Sequence, residues 1–126
     1  MNAVAQVFVA MAGLFHLAVF TMESVLFRRP EVWKRFLVKS QTDADVVRPW
    51  ALNQGFYNLF LALGALGGLV AVWSGRDTAG SAIALFACAC MAGAGIVLVL
   101  SDRRMMRAAS AQAVPPIVAL LLATAL

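Results

Sequence analysis

Four long apolar runs decide what this chain can fold into. They cover residues 3–27, 50–73, 79–100 and 109–126. A helix crosses the hydrocarbon core of a bilayer with roughly 20 residues, so all four runs qualify as membrane spans, the last only just. Backbone polar groups find no partners in lipid, and these runs are too long for barrel strands, so the spans are predicted to be helices.

Composition supports the same class. Hydrophobic residues make up 63% of the 126 residues and charged residues 13%, against roughly 25% charged residues in ordinary soluble domains. We therefore predict an all-α membrane protein, in which a single domain over residues 1–126 forms a bundle of four transmembrane helices. The fourth span carries Pro115 and Pro116, which are predicted to kink it or to delay its regular start.

The distribution of the basic residues predicts an orientation and argues against a nucleic-acid partner. Nine of the ten basic residues lie between the first two spans or between the last two, and only Arg76 lies in the remaining loop. The positive-inside rule places the two basic loops in the cytoplasm. The prediction is a multi-pass protein of a bacterial inner membrane, with both termini outside and the lipid bilayer as its surroundings.

The first basic loop contains an amphipathic segment. From Glu31 to Val38, apolar residues such as Trp33 are interspersed with Lys34 and Arg35, a pattern typical of a helix that lies at the membrane interface. Pro30 is predicted to start this helix. Two interpretations remain open: the segment is a lid over the cytoplasmic mouth of the bundle, or it is an anchor in anionic lipid.

The second span carries signals for a helix start and for close packing. Thr42 or Asp43 is predicted to cap a short helix that ends before Pro49. Further along, Gly64 and Gly68 form a small-xxx-small pair. Such a pair lets another helix, from the same chain or from another subunit, approach closely.

A stripe of polar side chains opens the second span. Asn53 and Tyr57 are four residues apart, as are Gln54 and Asn58, so each pair shares one face of a helix. A buried carboxamide without a partner is unfavourable by roughly 2 to 7 kcal/mol, depending on the reference state. The stripe is therefore expected to face something polar.

The first span supplies the polar partners. His16 is the only histidine, and Glu23 is the only carboxylate within any predicted span. They are seven residues apart and, with Phe20, lie on nearly one helical face. A glutamate within a span marks a functional site by default. The alternatives are that Glu23 reaches the head groups or the nearby arginines, and that the histidine is a structural hydrogen-bonding residue.

We expect these groups to meet in one pocket, because consecutive spans usually pack together. A carboxyl group in such a pocket is suited to general acid/base catalysis. The predicted catalytic residues are Glu23, His16 and Tyr57, and the predicted substrate-binding residues are Asn53, Gln54, Asn58, Trp33 and Phe20. No metal site is predicted, because one histidine and one glutamate fall short of the usual ligand set. The sequence identifies no cofactor.

These residues carry a resemblance to a known family. His16, Glu23, Trp33, Phe36 and above all the segment Asn53-Gln54-Gly55-x-Tyr57-Asn58-x-Phe60-Leu61-Ala62 resemble a bacterial family of small four-span membrane proteins, domain of unknown function 1304. The resemblance implies a four-helix membrane protein and no established activity. Such bundles are similar in architecture to membrane sterol isomerases and terpene cyclases, which use buried acids on lipidic substrates; this is an analogy of fold alone.

Three functions follow as hypotheses. The first is a membrane-embedded enzyme that isomerises, cyclises or performs a related redox step on a lipophilic quinone, polyketide or isoprenoid. The second is a proton-coupled exporter, working as a homodimer through Glu23. The third is a structural or accessory subunit, whose polar groups would satisfy one another without a cavity between them.

Overall fold

The computed structural model describes residues 1–125, which are mostly helical, with no strand among them. The helices in chain order are α1 (Ala3–Phe20), α2 (Pro30–Trp33), α3 (Gln41–Trp73), α4 (Asp77–Ser101) and α5 (Met106–Thr124). A π-helical turn, Thr21–Val25, extends α1, and the 3₁₀ turns Lys34–Phe36 and Arg103–Met105 follow α2 and precede α5.

The four long helices make this a multi-pass membrane protein. Their apolar segments, Ala3–Val25, Gln41–Trp73, Asp77–Ser101 and Arg103–Thr124, are long and apolar enough to cross a membrane. The all-α class and the four-span architecture predicted from the sequence are therefore confirmed. The final residue of the fourth predicted run, Leu126, lies outside the described residues.

Helix α3 runs through a proline that was expected to follow a separate short helix. It begins at Gln41 and continues past Pro49 to Trp73, so the prediction of a helix ending before Pro49 is wrong. The proline ring removes the N–H that would bond to the carbonyl of Asp45. Because Asp45 is exposed, water or head groups can hydrogen-bond to that carbonyl instead.

The start of α3 also corrects the predicted cap. Ser40 Oγ accepts a hydrogen bond of 3.1 Å from the backbone N–H of Asp43, which is the geometry of an N-terminal cap. The predicted cap residues, Thr42 and Asp43, already lie inside the helix. The serine satisfies one of the backbone donors that a helix start leaves without a partner.

The amphipathic segment is a shorter helix than the sequence suggests. Pro30 occupies the first turn of α2 as predicted, but the α-helix lasts only to Trp33 instead of Val38. A 3₁₀ turn follows, and the helical segment ends at Leu37, whose φ of 63° lies in the left-handed region. A residue in that conformation cannot continue a right-handed helix.

Two compact units can be distinguished within the chain. The first comprises Met1–Phe15 and the chain from Leu61 onward, and the second is His16–Phe60. The core of the first unit draws on all four long helices. Its buried residues are Val9, Ala12, Ala65, Leu69, Ala84, Ala87, Cys88, Met91 and Ala119. Small side chains dominate this core, so the helices within the unit can approach closely.

Close packing in the first unit is sharpest between α3 and α4. A Cβ atom added at Gly68 would lie 2.7 Å from both the Ala84 nitrogen and the Gly80 oxygen. At Gly64 a Cβ would lie 3.2 Å from that of Ala87. The predicted small-xxx-small contact is therefore made by a helix of the same chain.

Small residues also allow α4 and α5 to pack closely. A Cβ at Gly95 would lie 2.7 Å from the Cβ of Ala113 and 3.1 Å from the Ala109 oxygen. Pro115 and Pro116 lie inside α5, which begins well before them at Met106. The prolines therefore do not delay the start of this helix, which was one of their two predicted effects.

The second unit has its own apolar cluster. Phe27, Trp33 and Ala44 are buried, and Phe36, Val38, Val47 and Ala51 pack against them. The apolar side of the amphipathic segment is thus covered by protein. Its basic residues stay exposed, and the ammonium group of Lys34 lies 5.7 Å from the centre of the Trp33 ring.

Candidate functional site

The site is built on an irregular turn at the end of the first span. In Thr21–Val25 the helix widens, and Leu26 N donates to Thr21 O at 2.9 Å, five residues back. The Thr21 hydroxyl also donates to Leu17 O at 2.9 Å. Single π-helical turns occur frequently at functional sites. Here the turn carries Glu23. The prediction that Glu23 and His16 share one helical face assumed a regular α-helix, and the wider π-helical turn departs from that geometry.

A glycine lets this turn come close to α3. A Cβ atom at Gly55 would collide with Ser24 Oγ and would lie 3.1 Å from the Glu23 Cβ. The Ser24 hydroxyl donates to the Leu52 carbonyl at 2.9 Å. Because residue 55 has no side chain, the side chains of the turn can lie directly against the α3 backbone. This approach places the Glu23 side chain beside the next turn of α3.

Asn58 binds the glutamate directly. Its Nδ2 donates to Glu23 Oε2 at 2.8 Å and also contacts the Gln54 carbonyl at 3.2 Å. Asn58 is buried and Glu23 is half-buried. Glu23 Oε1 accepts no hydrogen bond from the residues that the structure describes. One carboxylate oxygen is therefore held in place while the other remains available to another molecule.

A small cavity opens beside the carboxylate. Its volume is about 40 Å³. The lining residues are Glu23, Ser24, Val25, Phe27, Arg28, Arg48 and Leu52. The lining thus combines three apolar side chains with an acid, a hydroxyl and two guanidinium groups.

The two arginines of the cavity are not neutralised by the protein. Neither Arg28 nor Arg48 forms an ion pair or a side-chain hydrogen bond within residues 1–125; the salt bridge found there joins Arg104 to Asp102. Pairing of Glu23 with a nearby arginine was an alternative in the sequence analysis. The described residues instead give Glu23 an uncharged amide as its hydrogen-bond donor.

The other predicted catalytic residues have different surroundings. His16 is completely buried, whereas Tyr57 is 59% exposed. Asn53 and Gln54 are exposed as well. Of the polar stripe on α3, the structure therefore brings the Asn58 side chain to Glu23 and leaves the side chains of the other three residues on the surface.

The two aromatic residues predicted to bind substrate pack against protein side chains. Phe20 meets Phe56 edge to face, with ring centres 5.3 Å apart. Trp33 is buried in the apolar cluster, and its Nε1 has no hydrogen-bond partner among the described residues. Neither ring lines the cavity beside Glu23.

The described residues contain no group of three or more histidine, cysteine, aspartate or glutamate side chains arranged to hold a metal ion. Histidine, thiolate and carboxylate groups are the usual protein ligands of transition metals. The chemistry of the site as described rests on the acid, the amide and the two arginines.

The family model described as a protein of unknown function, DUF1304, matches residues 10–124, which include the whole site. The chain belongs to the DUF1304 family. Neither a curated protein nor a solved structure matches this chain. The resemblance of the Asn-Gln-Gly-x-Tyr-Asn segment to this DUF1304 family is thereby confirmed.

Sequence reasoning missed two features of the DUF1304 site. The first is Gly55, which was noted only as part of the motif, although a glycine between carboxamides is itself a signal for close backbone approach. The second is the pair Arg28 and Arg48, which entered only as loop charges and as alternative partners of Glu23. Their common position beside the acid depends on α3 continuing through Pro49.

Proposed function

We propose that this protein is a membrane-embedded enzyme acting on a lipophilic small molecule such as a quinone, polyketide or isoprenoid. Its reaction would be an isomerisation or a cyclisation by proton transfer, or a related redox step. The observation that carries the proposal is the 2.8 Å bond from Asn58 to Glu23 at the edge of a cavity. A fixed acid with one free oxygen is the arrangement that general acid/base catalysis needs.

The roles of the residues follow from their contacts. Glu23 would take a proton from a carbon beside a carbonyl group and return it at another position of the same molecule. Asn58 would hold the carboxyl group in one orientation, and Ser24 and the two arginines would face the polar end of the substrate. His16 and Tyr57, the proton partner and the donor predicted from the sequence, do not line the cavity, and the proposed step does not use them.

Two competing functions are disfavoured by the same geometry. A dimeric exporter would need Glu23 to be reachable from both sides of the membrane, whereas this acid is bonded to an amide of its own chain. An accessory subunit would have polar groups that satisfy one another without a cavity. The free oxygen of Glu23 and the unneutralised Arg28 and Arg48 beside a cavity favour an enzyme over that role.

The deciding experiment follows proton transfer without knowing the substrate. Membranes of cells that overproduce the protein are incubated in D₂O, and the extracted lipophilic molecules are compared by mass spectrometry. A proton-transfer enzyme adds deuterium to one class of molecule. We expect labelling that depends on Glu23 and is lost, by roughly 10²-fold or more, in Glu23→Gln.

The matched control is Glu31→Gln, because Glu31 is an exposed glutamate outside the cavity lining. It should label the same molecules as the wild type. Both variants should accumulate and keep their helical circular dichroism. Labelling that persists in a folded Glu23→Gln variant would refute the catalytic role of the acid.

We also propose a location and an orientation. The protein would lie in the inner membrane of a bacterium, with both termini outside and the two arginine-rich connections in the cytoplasm. Cysteines introduced at exposed Arg29 and Arg76 should then react with an impermeant maleimide from opposite sides of the membrane. Equal labelling of both in intact cells would contradict this orientation.

A further inference from the structure

We propose that the cavity beside Glu23 binds the anionic end group, a carboxylate or a phosphate, of a single-chain amphiphile, and that Arg28 and Arg48 recognise it. This inference rests on the proposed function for the identity of the site. It adds the chemical class of the molecule that the site accepts. The amphiphile's tail would lie in the surrounding lipid while its charged end enters the cavity.

Charge is the first argument. The cavity is lined by two arginines and one glutamate, so it carries a positive excess. Within the described part of the chain neither arginine is paired with an acid. Guanidinium groups are matched in geometry to carboxylate and phosphate oxygens, with which they form paired hydrogen bonds. A ligand with such an end group would pair with the two arginines, for which the described residues provide no acidic partner.

Size is the second argument. A volume of about 40 Å³ corresponds to a few water molecules, since one water needs roughly 10–15 Å³ by this measure. That space suits a single end group, so the rest of a larger substrate would lie outside the cavity. The apolar lining residues Val25, Phe27 and Leu52 can contact the first carbon atoms behind the end group.

Position along the helices is the third argument. Glu23 lies near the end of the span Ala3–Val25, and Arg28 lies three residues beyond the last residue of that span. Helix α3 has 33 residues, so it is roughly 50 Å long and exceeds a hydrocarbon core of roughly 30 Å. Its early residue Arg48 therefore belongs to the part that extends beyond the apolar layer. The end groups of amphiphiles lie at this level of a membrane.

These arguments place the reacting atoms close to the end group. With the anion at Arg28 and Arg48, the free oxygen of Glu23 faces the first carbons of the ligand. A proton at such a carbon is acidified when a carbonyl group is adjacent. The proposed substrate class is therefore an amphiphile that carries its reactive carbonyl near a carboxylate or phosphate end.

Binding tests this inference separately from turnover. The full chain is placed in nanodiscs of uncharged phosphatidylcholine, and binding of tritiated hexadecanoate is measured above that of empty nanodiscs. Unlabelled hexadecanoate and hexadecyl phosphate should compete at least about tenfold better than hexadecanol, the uncharged molecule of the same chain length. Equal competition by hexadecanol would overturn the proposal.

Matched variants locate the binding. Arg28→Gln and Arg48→Gln should each weaken hexadecanoate binding about tenfold. Arg35→Gln removes another exposed charge, which does not line the cavity, and should change binding less than twofold. A similar loss in all three variants would mean that general surface charge attracts the anion, and would overturn the proposed site. Arg48→Lys should keep part of the affinity.

Two further measurements distinguish an amphiphile from a water-soluble anion, and the binding proposal from the proposed function. Competition by free acetate or inorganic phosphate at the concentrations of the amphiphiles would assign a water-soluble anion and overturn the amphiphile. Glu23→Gln should bind hexadecanoate at least as tightly as the wild type, because it removes a negative charge. Retained labelling from D₂O in Glu23→Gln would refute the proposed function and leave the binding result standing, whereas unchanged binding in the arginine variants would refute only the present inference.

Discussion

Glycine serves two different purposes in the two units of this protein. In the first unit, Gly68 of α3 meets backbone atoms of Gly80 and Ala84 in a core whose buried side chains are apolar. In the second unit, Gly55 meets the side chains of Ser24 and Glu23, and the groups brought together are polar. The first contact holds a membrane bundle together, and the second assembles a site.

The difference teaches how a small membrane protein separates stability from chemistry. Within the first unit, the helices pack through alanine and glycine residues. Added atoms at these contacts are unfavourable because the neighbouring backbone atoms cannot move aside. Within the second unit, the neighbours of the glycine are side chains that can rotate. We expect substitutions in the first unit to reduce stability most, and substitutions in the second to reduce activity most.

The largest effect on stability is expected for Gly68→Ala. The added Cβ would lie 2.7 Å from two backbone atoms of α4, so we expect a loss of about 3 kcal/mol in the free energy of unfolding. Gly67→Ala is the matched control, because a Cβ there meets nothing within 4 Å. Unfolding in sodium dodecyl sulfate, followed by circular dichroism, measures both. Equal stability of the two variants would break the comparison in the first unit.

The next effect is expected for Asn58→Ala. This variant removes the donor to Glu23 and leaves a half-buried carboxyl group without its partner, which should lower the free energy of unfolding by about 2 kcal/mol. It should also reduce deuterium labelling, because the acid loses its fixed orientation. Asn53→Ala alters an exposed carboxamide on the same helix and should change neither quantity. If both variants behave alike, the bond to Glu23 has no special role.

A smaller effect on stability is expected for Gly55→Ala. The new methyl group would push the Ser24 hydroxyl away from the Leu52 carbonyl, so the loss should be about 1 kcal/mol, the value of one hydrogen bond. In a Ser24→Ala background the same change should be less harmful, because that hydrogen bond is already absent. A double-mutant cycle measures this coupling. A loss as large as that of Gly68→Ala would contradict the distinction between side-chain and backbone neighbours.

The smallest effect on stability is expected at Asp102, which belongs neither to the glycine contacts of the first unit nor to the site around Glu23. Hydrogen bonds from Arg104 lower the pKa of the Asp102 carboxyl below its ordinary value of 3.8. A lowered pKa means that the stabilising contribution is present above about pH 4 and is lost as the pH falls through the folded-state pKa. The Asp102 side chain is partly exposed and that of Arg104 is exposed, so solvent screens the interaction between them. Asp102→Asn should therefore leave Tm almost unchanged at pH 7, and the small difference should vanish as the pH falls through the folded-state pKa.

The fold class was predictable because it depends on local composition. Four apolar runs and the absence of water in lipid leave helices as the solution, and α4 spans nearly the predicted range. The boundaries of α3 were not predictable in the same way. Pro49 argues against a continuous helix, yet the exposed turn before it tolerates the missing hydrogen bond.

The sequence could predict the two polar residues at the centre of the site, but it could not predict which residues line the cavity. Glu23 and Asn58 stand out because polar side chains in apolar spans need partners. Tyr57 and Asn53 have the same signal, but the rotation of α3 leaves them exposed. Spacing alone cannot assign that rotation when polar residues occupy neighbouring faces of one helix.

The sequence by itself determined that this chain forms membrane-spanning helices and that an acid and an amide-rich motif are out of place in them. These conclusions follow from the unfavourable transfer of backbone and polar groups into lipid, which each segment experiences on its own. The tertiary structure alone decided that Asn58 is the amide that binds Glu23, and that Arg28 and Arg48 share its cavity. Those contacts depend on a π-helical turn and on the close approach of the Ser24 and Glu23 side chains to Gly55, and that approach joins two segments that are distant in sequence.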